Sequence, residues 1–152
     1  MNKLILKILV LSFSFSTVFC CLCLPLTPLQ HYCAANTVVK ARIQEEKTQD
    51  SVTEYDVQIV ETIKSPKLLP SSLKLLTPSQ HGLCGVDLDK NSTYILTAAY
   101  LEPNLHTSAC DYHVNLDKAT ENEKKAALDP LKPGLNCNQP AAQPPNVPAG
   151  SG

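Results

Sequence analysis

Alternating apolar and polar residues predict two strands in the first half of the chain. Val39, Ala41 and Ile43 alternate with polar neighbours, and a second alternating run covers residues 55–63. A period of two with β-branched residues is typical of a strand with one buried face. The polar link between the runs, residues 45–51, predicts a short hairpin.

The same reading predicts four further strands, at residues 73–75, 83–88, 93–101 and 110–116. Proline residues and polar turns separate them. The segment 93–101 is apolar on both faces, so we expect it to be the most buried strand. Several short strands with frequent turns favour an antiparallel barrel that is closed or nearly closed.

One helix is predicted after these strands, and an irregular tail after the helix. Thr120 and Glu123 have the spacing of a capping box ahead of residues 124–128, and Pro130 prevents the helix from continuing. Residues 138–152 are rich in proline and lack apolar periodicity, which predicts a disordered tail.

The first twenty residues predict a cleaved secretory signal peptide. Lys3 and Lys7 precede an apolar run at residues 8–19 that is too short to cross a bilayer. Small residues at Val18 and Cys20 favour cleavage between Cys20 and Cys21. The alternatives are an uncleaved anchor, which would need a longer run, and a lipoprotein signal, which would need a small residue before the modified cysteine.

The cysteine count favours the same cleavage site. The chain has seven cysteines, and removal of residues 1–20 leaves an even set of six, namely Cys21, Cys23, Cys33, Cys84, Cys110 and Cys137. In a secreted chain of this size, six cysteines indicate three disulfides, although the sequence alone allows fifteen pairings. Two cysteines separated by one residue cannot easily bond each other, so Cys21 and Cys23 should each reach a distant partner.

Length and charge then limit the possible functions. The remaining 132 residues suffice for one domain with a core. Without Lys3 and Lys7 this part of the chain has eleven basic and fourteen acidic residues, which gives a net charge of −3. This balance does not suggest nucleic acid or an anionic membrane as a partner. Nucleophile motifs, paired carboxylates and a glycine-rich phosphate loop are not found, so we do not expect an enzyme.

Candidate chemistry is therefore concentrated at the predicted mature N-terminus. A terminal amine and the carbonyl oxygen of the same residue, here Cys21, can close a five-membered chelate on a metal. Thiolate zinc binding by the cysteines is a weaker alternative, because their spacing does not form matched pairs. The four histidines also lack ligand spacing. Asn91 begins an Asn-Ser-Thr glycosylation sequon in a predicted turn.

Several segments together resemble a known family. They are Cys21-x-Cys23-x-Pro25-x-x-Pro28-x-Gln30-x-x-Cys33, Thr37-Val38-Val39-Lys40-Ala41, Leu83-Cys84-Gly85-Val86-Asp87-Leu88, Tyr94-Ile95-Leu96-Thr97-Ala98 and Cys110-Asp111-Tyr112. In these segments, and in cysteine order over residues 21–137, the chain resembles the N-terminal domain of the tissue inhibitors of metalloproteinases. The resemblance implies a mainly β fold, an OB-like five-stranded Greek-key barrel of the netrin type with one or two short helices.

The resemblance also implies a disulfide pairing and a mechanism. The pairs would be Cys21–Cys84, Cys23–Cys110 and Cys33–Cys137, each contributing about 4–5 kcal/mol in the chain-entropy model. The protein would be a secreted, extracellular, monomeric inhibitor of zinc metalloproteinases of the matrix type, without a cofactor of its own. The Cys21 amine and carbonyl would bind the target's catalytic zinc, and Leu22 would enter the primed-side specificity pocket. The contact residues would be Cys21, Leu22, Cys23, Leu24, Pro25, Gln80, His81, Gly82, Leu83 and Cys84.

The sequence departs from the family pattern in several places. Leu22 stands where a small hydroxyl residue is usual, Thr27 where His is common and Leu116 where Trp is common. The second domain of vertebrate members is not found, and a short hairpin tip at residues 44–51 would limit reach toward a target. The rival interpretation is a netrin-type binding module that acts on a receptor or matrix component. Modules of that kind within larger proteins lack a cysteine at the chain start.

Overall fold

Six strands and two short α-helices form the described part of the protein. The structure is a computed structural model, and it describes residues 21–79, 83–132 and 134–138. In chain order the elements are α1 (Pro28–Ala34), β1 (Thr37–Gln49), β2 (Val52–Lys64), β3 (Ser72–Pro78), β4 (Thr93–Leu101), β5 (Asn104–His106), β6 (His113–Asn115) and α2 (Glu121–Leu128), followed by a 3₁₀ helix (Asp129–Leu131).

Five of the strands close into a barrel. The sheet order is β1-β2-β3-β5-β4, and β4 pairs back onto β1, which completes the ring. All of these pairings are antiparallel except β3 with β5, which is parallel. Register shifts along β1 and β2 mark bulges, which bend strands as a closed barrel requires. The predicted OB-like barrel is confirmed.

The barrel interior is filled by the apolar positions of the alternating pattern. On β1, Val39, Ala41 and Ile43 are fully buried, and Tyr55 and Val57 of the adjacent strand β2 belong to the same core cluster. Leu96 of β4 joins this cluster. Because successive side chains of a strand point to opposite faces, the period-two pattern identified these residues correctly.

A second, smaller core lies on the outer face of the barrel. Val38 of β1 and Ile95 of β4 pack there against Tyr32 of α1 and Ala127 of α2. The Tyr32 hydroxyl donates to the Ala127 carbonyl over 2.9 Å, which ties the two helices together. As expected, β4 is buried on both faces, since Ile95 and Leu96 are both almost inaccessible to solvent.

The hairpin between β1 and β2 is longer than predicted. The predicted polar link at residues 45–51 is wrong, because the two strands stay paired as far as Gln49 opposite Val52. The reversal takes place at Asp50, whose φ of 53° is left-handed. Polar residues continue the ladder here because the end of β1, residues 44–49, lies largely exposed to solvent. The effect of this longer hairpin on reach toward a target stays a prediction.

The predicted strand at residues 83–88 is the main error of the sequence interpretation. This segment instead makes a turn and then an irregular path across the barrel end. Its backbone is bound by a side chain, since Leu88 N donates to the Tyr55 hydroxyl, which itself donates to the Val86 carbonyl. Leu88 is buried in the barrel core. The apolar residues of the 83–88 segment are therefore explained by contact with the end of the barrel and not by membership of a sheet.

Two short elements were not predicted, and a third element, a predicted strand, is shorter in the structure. Helix α1 has a complete capping box, with Thr27 N donating to Gln30 Oε1 over 2.7 Å and Thr27 Oγ1 accepting from Gln30 N. Strand β5 has only three residues and forms through pairing with β3 and β4. The sixth predicted strand contracts to β6, and the predicted helix is confirmed as α2 with its Thr120–Glu123 capping box.

Candidate functional site

The segment Cys21–Pro25 forms an exposed strip at the start of the described chain, which we call the N-terminal ridge. It has no regular secondary structure and leads directly into α1. Leu22 is 97% exposed and Leu24 is 75% exposed. Two large apolar side chains exposed within three residues give the ridge an apolar surface, which is the kind of surface that contacts other molecules.

Two disulfides fix the ridge to the barrel. Cys21 bonds to Cys84 and Cys23 bonds to Cys110, with Cα–Cα distances of 5.6 and 5.1 Å. The third bond joins Cys33 of α1 to Cys137. This is the pairing that the family resemblance implies. The exposed Leu22 thus lies between two residues that are covalently attached to different parts of the protein.

The segment opposite the ridge turns sharply at Cys84. This residue has a left-handed φ of 67°, a conformation that costs a non-glycine residue on the order of 1–2 kcal/mol. Its neighbour Leu83 is half exposed, and the next residue, Gly85, is buried. Of the other predicted contact residues, Gln80, His81 and Gly82 lie outside the described residues.

An open recess borders the ridge attachment points. Its volume is about 560 Å³, and Leu83 and Asp111, the neighbours of Cys84 and Cys110, form part of its lining. The end of the β2–β3 ladder, where Val52 pairs with Pro78, lines another side. An apolar hollow therefore adjoins the two cysteines that hold the ridge.

A turn at residues 108–111 holds Cys110. Asp111 N donates to the Ser108 carbonyl over 3.0 Å, and Asp111 Oδ2 accepts from Ser108 N over 2.7 Å and from Ser108 Oγ over 2.9 Å. Ala109 N donates to the Cys84 carbonyl over 2.8 Å. Sequence reasoning missed this turn, although Ser108-x-x-Asp111 has the spacing of a capping motif that could have identified it.

Two histidines lie close to this turn. Burial lowers the pKa of His113 to about 4, with nearby Asp111 opposing the shift and His31 adding to it. The His31 ring lies 5.5 Å from the ring of Tyr112, and burial lowers its pKa as well. In the part of the chain that the structure describes, no group of three or more His, Cys, Asp or Glu side chains is placed to hold a metal ion.

The glycosylation sequon lies in the turn before β4. Asn91 is exposed, has a left-handed φ of 61°, and its backbone N–H donates to the Ile43 carbonyl over 2.8 Å. Asparagine tolerates this conformation better than most residues. The side chain required for modification therefore faces solvent.

Comparison with known proteins identifies the family. Residues 20–141 match the family model described as tissue inhibitor of metalloproteinase. The chain belongs to this family. It is 23% identical over 122 residues to metalloproteinase inhibitor 3 of Gallus gallus, an alignment that covers 77% of this chain and 58% of that relative.

Other members of the tissue inhibitor of metalloproteinase family align in a similar way. Metalloproteinase inhibitor 2 of Homo sapiens is 26% identical over 149 residues, covering 89% of this chain and 66% of the relative. The tissue inhibitor of metalloproteinase of Drosophila melanogaster is 26% identical over 122 residues, covering 77% and 56%. The chain thus spans less than two thirds of the length of each of these relatives.

Proposed function

We propose that this member of the family is a secreted, non-enzymatic inhibitor of zinc metalloproteinases of the matrix type. The observation that carries the proposal is the N-terminal ridge, where the nearly fully exposed Leu22 lies between two disulfide-bonded cysteines. The names of the relatives, which describe inhibitors of metalloproteinases, support the same function.

Rigidity of the ridge favours tight binding. A flexible peptide of the same sequence would lose conformational entropy when it entered a protease cleft, whereas a segment fixed in advance avoids much of that cost. Cys21 and Cys23 are attached through bridges that span 63 and 87 residues. Chain ends are normally frayed, so this double attachment suits a terminus with a binding function.

The terminal residue supplies the proposed zinc ligands. Cleavage after Cys20 would make the Cys21 α-amine the chain terminus, and its nitrogen and carbonyl oxygen would bind the target's catalytic zinc in place of the water that acts as nucleophile. Zinc accepts a nitrogen lone pair only from the neutral amine. Because a reference α-amine titrates at about 7.7–8.0, a fraction is already neutral at physiological pH, and zinc binding draws the remainder into that form.

The neighbouring residues would fill the cleft. Leu22 would enter the primed-side specificity pocket, and Cys23, Leu24 and Pro25 would follow the cleft as a product-like strand. Leu83, half exposed beside Cys84, would widen the contact, together with residues 80–82. The target's zinc is the only metal that this mechanism requires.

Chemical blocking of the amine tests the mechanism. Acetylation removes the lone pair with little added volume, and one extra alanine before Cys21 converts the amine to an amide and adds bulk. We expect either change to abolish inhibition of a matrix metalloproteinase, while native protein with the Cys21 terminus inhibits.

Circular dichroism and disulfide mapping serve as controls, because the fold and three bridges should persist in all forms. Full inhibition by the acetylated protein would disprove chelation. Absence of inhibition by the native protein with the Cys21 terminus would favour the alternative, a netrin-type module that binds a receptor or matrix component. N-terminal sequencing of secreted material tests the cleavage site.

Among the helices that the structure describes, none is long and apolar enough to span a membrane.

A further inference from the structure

The turn at residues 108–111 connects both attachment points of the N-terminal ridge. Cys110 within the turn is bonded to Cys23. The adjacent Ala109 N–H donates to the carbonyl of Cys84, which is bonded to Cys21. The position of this one turn therefore affects both ends of the segment that carries Leu22.

Asp111 holds the turn closed. A single carboxylate oxygen, Oδ2, accepts from Ser108 N at 2.7 Å and from Ser108 Oγ at 2.9 Å, and it lies 3.5 Å from Thr107 Oγ1. Hydrogen bonds to an ionised acceptor are stronger than those between neutral groups. The side chain is half-buried, and among the described residues its hydrogen-bond donors are Ser108, the first residue of the turn, and Thr107, the residue before it.

Hydrogen bonds on both sides of the 108–111 turn fix it to the barrel. Thr107 is buried, its N–H donates to the Leu76 carbonyl of β3 over 2.9 Å, and its hydroxyl lies 3.2 Å from the Thr97 carbonyl of β4. On the other side, Tyr112 N donates to Thr97 Oγ1 over 2.8 Å. Rigid strands thus flank the turn at both ends, and Asp111 closes the part between them.

We propose that Asp111 is a positioning residue for the N-terminal ridge, acting through Cys110 and Cys84 without contact to the target. A disulfide limits the separation of two residues but still permits rotation about its side-chain bonds. Two disulfides alone therefore leave the ridge some freedom, which the hydrogen-bonded turn removes by fixing Cys84 and Cys110 relative to each other. This inference rests on the proposed function for its effect on inhibition, but not for its effect on order in the ridge.

The test compares Asp111→Ala and Asp111→Asn with a matched control, Asp117→Ala. Asp117 also accepts a backbone hydrogen bond, from Thr93 N over 2.7 Å, but at the start of β4 and outside the turn. The readouts are NMR order parameters of the Leu22, Cys23 and Leu24 amides, and the inhibition constant against a matrix metalloproteinase. Urea unfolding of each variant measures its global stability.

We expect Asp111→Ala to lower the ridge order parameters and to raise the inhibition constant about tenfold, the scale of one lost hydrogen bond to a charged group. Asp111→Asn, which keeps a neutral acceptor, should fall between Asp111→Ala and the unaltered protein. Asp117→Ala should change neither readout. If Asp111→Ala does not fold, a drop in order parameters in Asp111→Asn is the expected result, and no drop overturns the proposal.

Two further results would overturn it. One is unchanged ridge order in a folded Asp111→Ala. The other is an Asp117→Ala variant whose ridge order parameters fall as much as those of Asp111→Ala at an equal loss of stability. That result would show that Asp111 affects the ridge only through the global stability of the protein. If the unaltered protein inhibits no metalloproteinase, the proposed function fails, while the order parameters still decide the positioning role.

Discussion

The Nε2 atom of His113 lies 2.7 Å from the hydroxyl oxygen of Thr107. Thr107 directly precedes the turn that holds Cys110. The same hydroxyl lies 3.2 Å from the Thr97 carbonyl. Burial lowers the pKa of this histidine to about 4. A neutral imidazole is therefore part of the folded structure near the ridge.

This burial predicts a loss of stability in acid. An unfolded histidine titrates near about 6.5, so between that pH and about 4 the unfolded chain binds a proton that the folded chain does not. The His113 contribution to the free energy of unfolding should fall as pH decreases through this window, by up to about 3 kcal/mol, and level off below it. Urea unfolding at a series of pH values measures the effect.

His113→Gln is the control for the acid prediction. Glutamine can still hydrogen-bond to Thr107 but does not titrate, so the variant should lose this part of the pH dependence. His31, whose pKa is also lowered, contributes in both proteins and cancels in the comparison. Identical slopes for the two proteins between pH 6.5 and 4 would contradict the assignment to His113.

Leu22 should determine much of the inhibitory strength. Leu22→Gly removes an apolar side chain that would be buried in a deep specificity pocket, at a cost of about 2 kcal/mol or roughly thirtyfold in the inhibition constant. The loss of stability should stay within about 1 kcal/mol, the backbone-entropy cost of a glycine, because the side chain is 97% exposed. Inhibition assays against a deep-pocket matrix metalloproteinase provide the measurement.

Leu68→Gly offers a matched control for Leu22. Leu68 is 96% exposed, but it lies between β2 and β3, far along the chain from the ridge. The same substitution there should leave the inhibition constant unchanged. An equal effect at both positions, or none at Leu22, would show that the Leu22 side chain does not enter the pocket.

Asn91 should carry an N-linked glycan when the protein is secreted from eukaryotic cells. The side chain is exposed in a turn and begins the sequon Asn-Ser-Thr. Treatment with a glycan-removing amidase should increase mobility on a denaturing gel, and Asn91→Gln should abolish that shift. A protein whose mobility is unaffected by the enzyme would show that the sequon is not used.

The proline-rich residues beyond Asn138 should be dispensable. Their composition provides no apolar pattern with which to pack on the barrel. Truncation after Asn138 keeps the Cys33–Cys137 bond, so we expect the thermal midpoint and the inhibition constant to remain unchanged. A clear decrease in either would mean that this segment packs on the domain or contacts the target.

Local signals predicted the longer elements well and the short elements α1 and β5 not at all. The alternation around Val39 and Tyr55 and the capping box of α2 were correctly interpreted, because each depends on residues close in sequence. Thr27 and Gln30 carried the same capping signature ahead of α1, with Pro28 at its first position. The proline strengthens this signal, because proline is favoured at the start of a helix.

The sequence by itself predicted four of the five barrel strands, β1 to β4, and, with cleavage after Cys20, an even set of six cysteines, but it did not predict β5. It left the disulfide pairing open, since thiols far apart in the chain give no local sign of their partners. Only the tertiary structure placed the turn at residues 108–111 beside Cys84, through the Ala109 hydrogen bond. It also showed that residues 83–88, predicted as a strand, follow an irregular path across the barrel end, where they are hydrogen-bonded to the Tyr55 hydroxyl. Contacts of this kind join residues that lie twenty or more positions apart, and they form only once the barrel has closed.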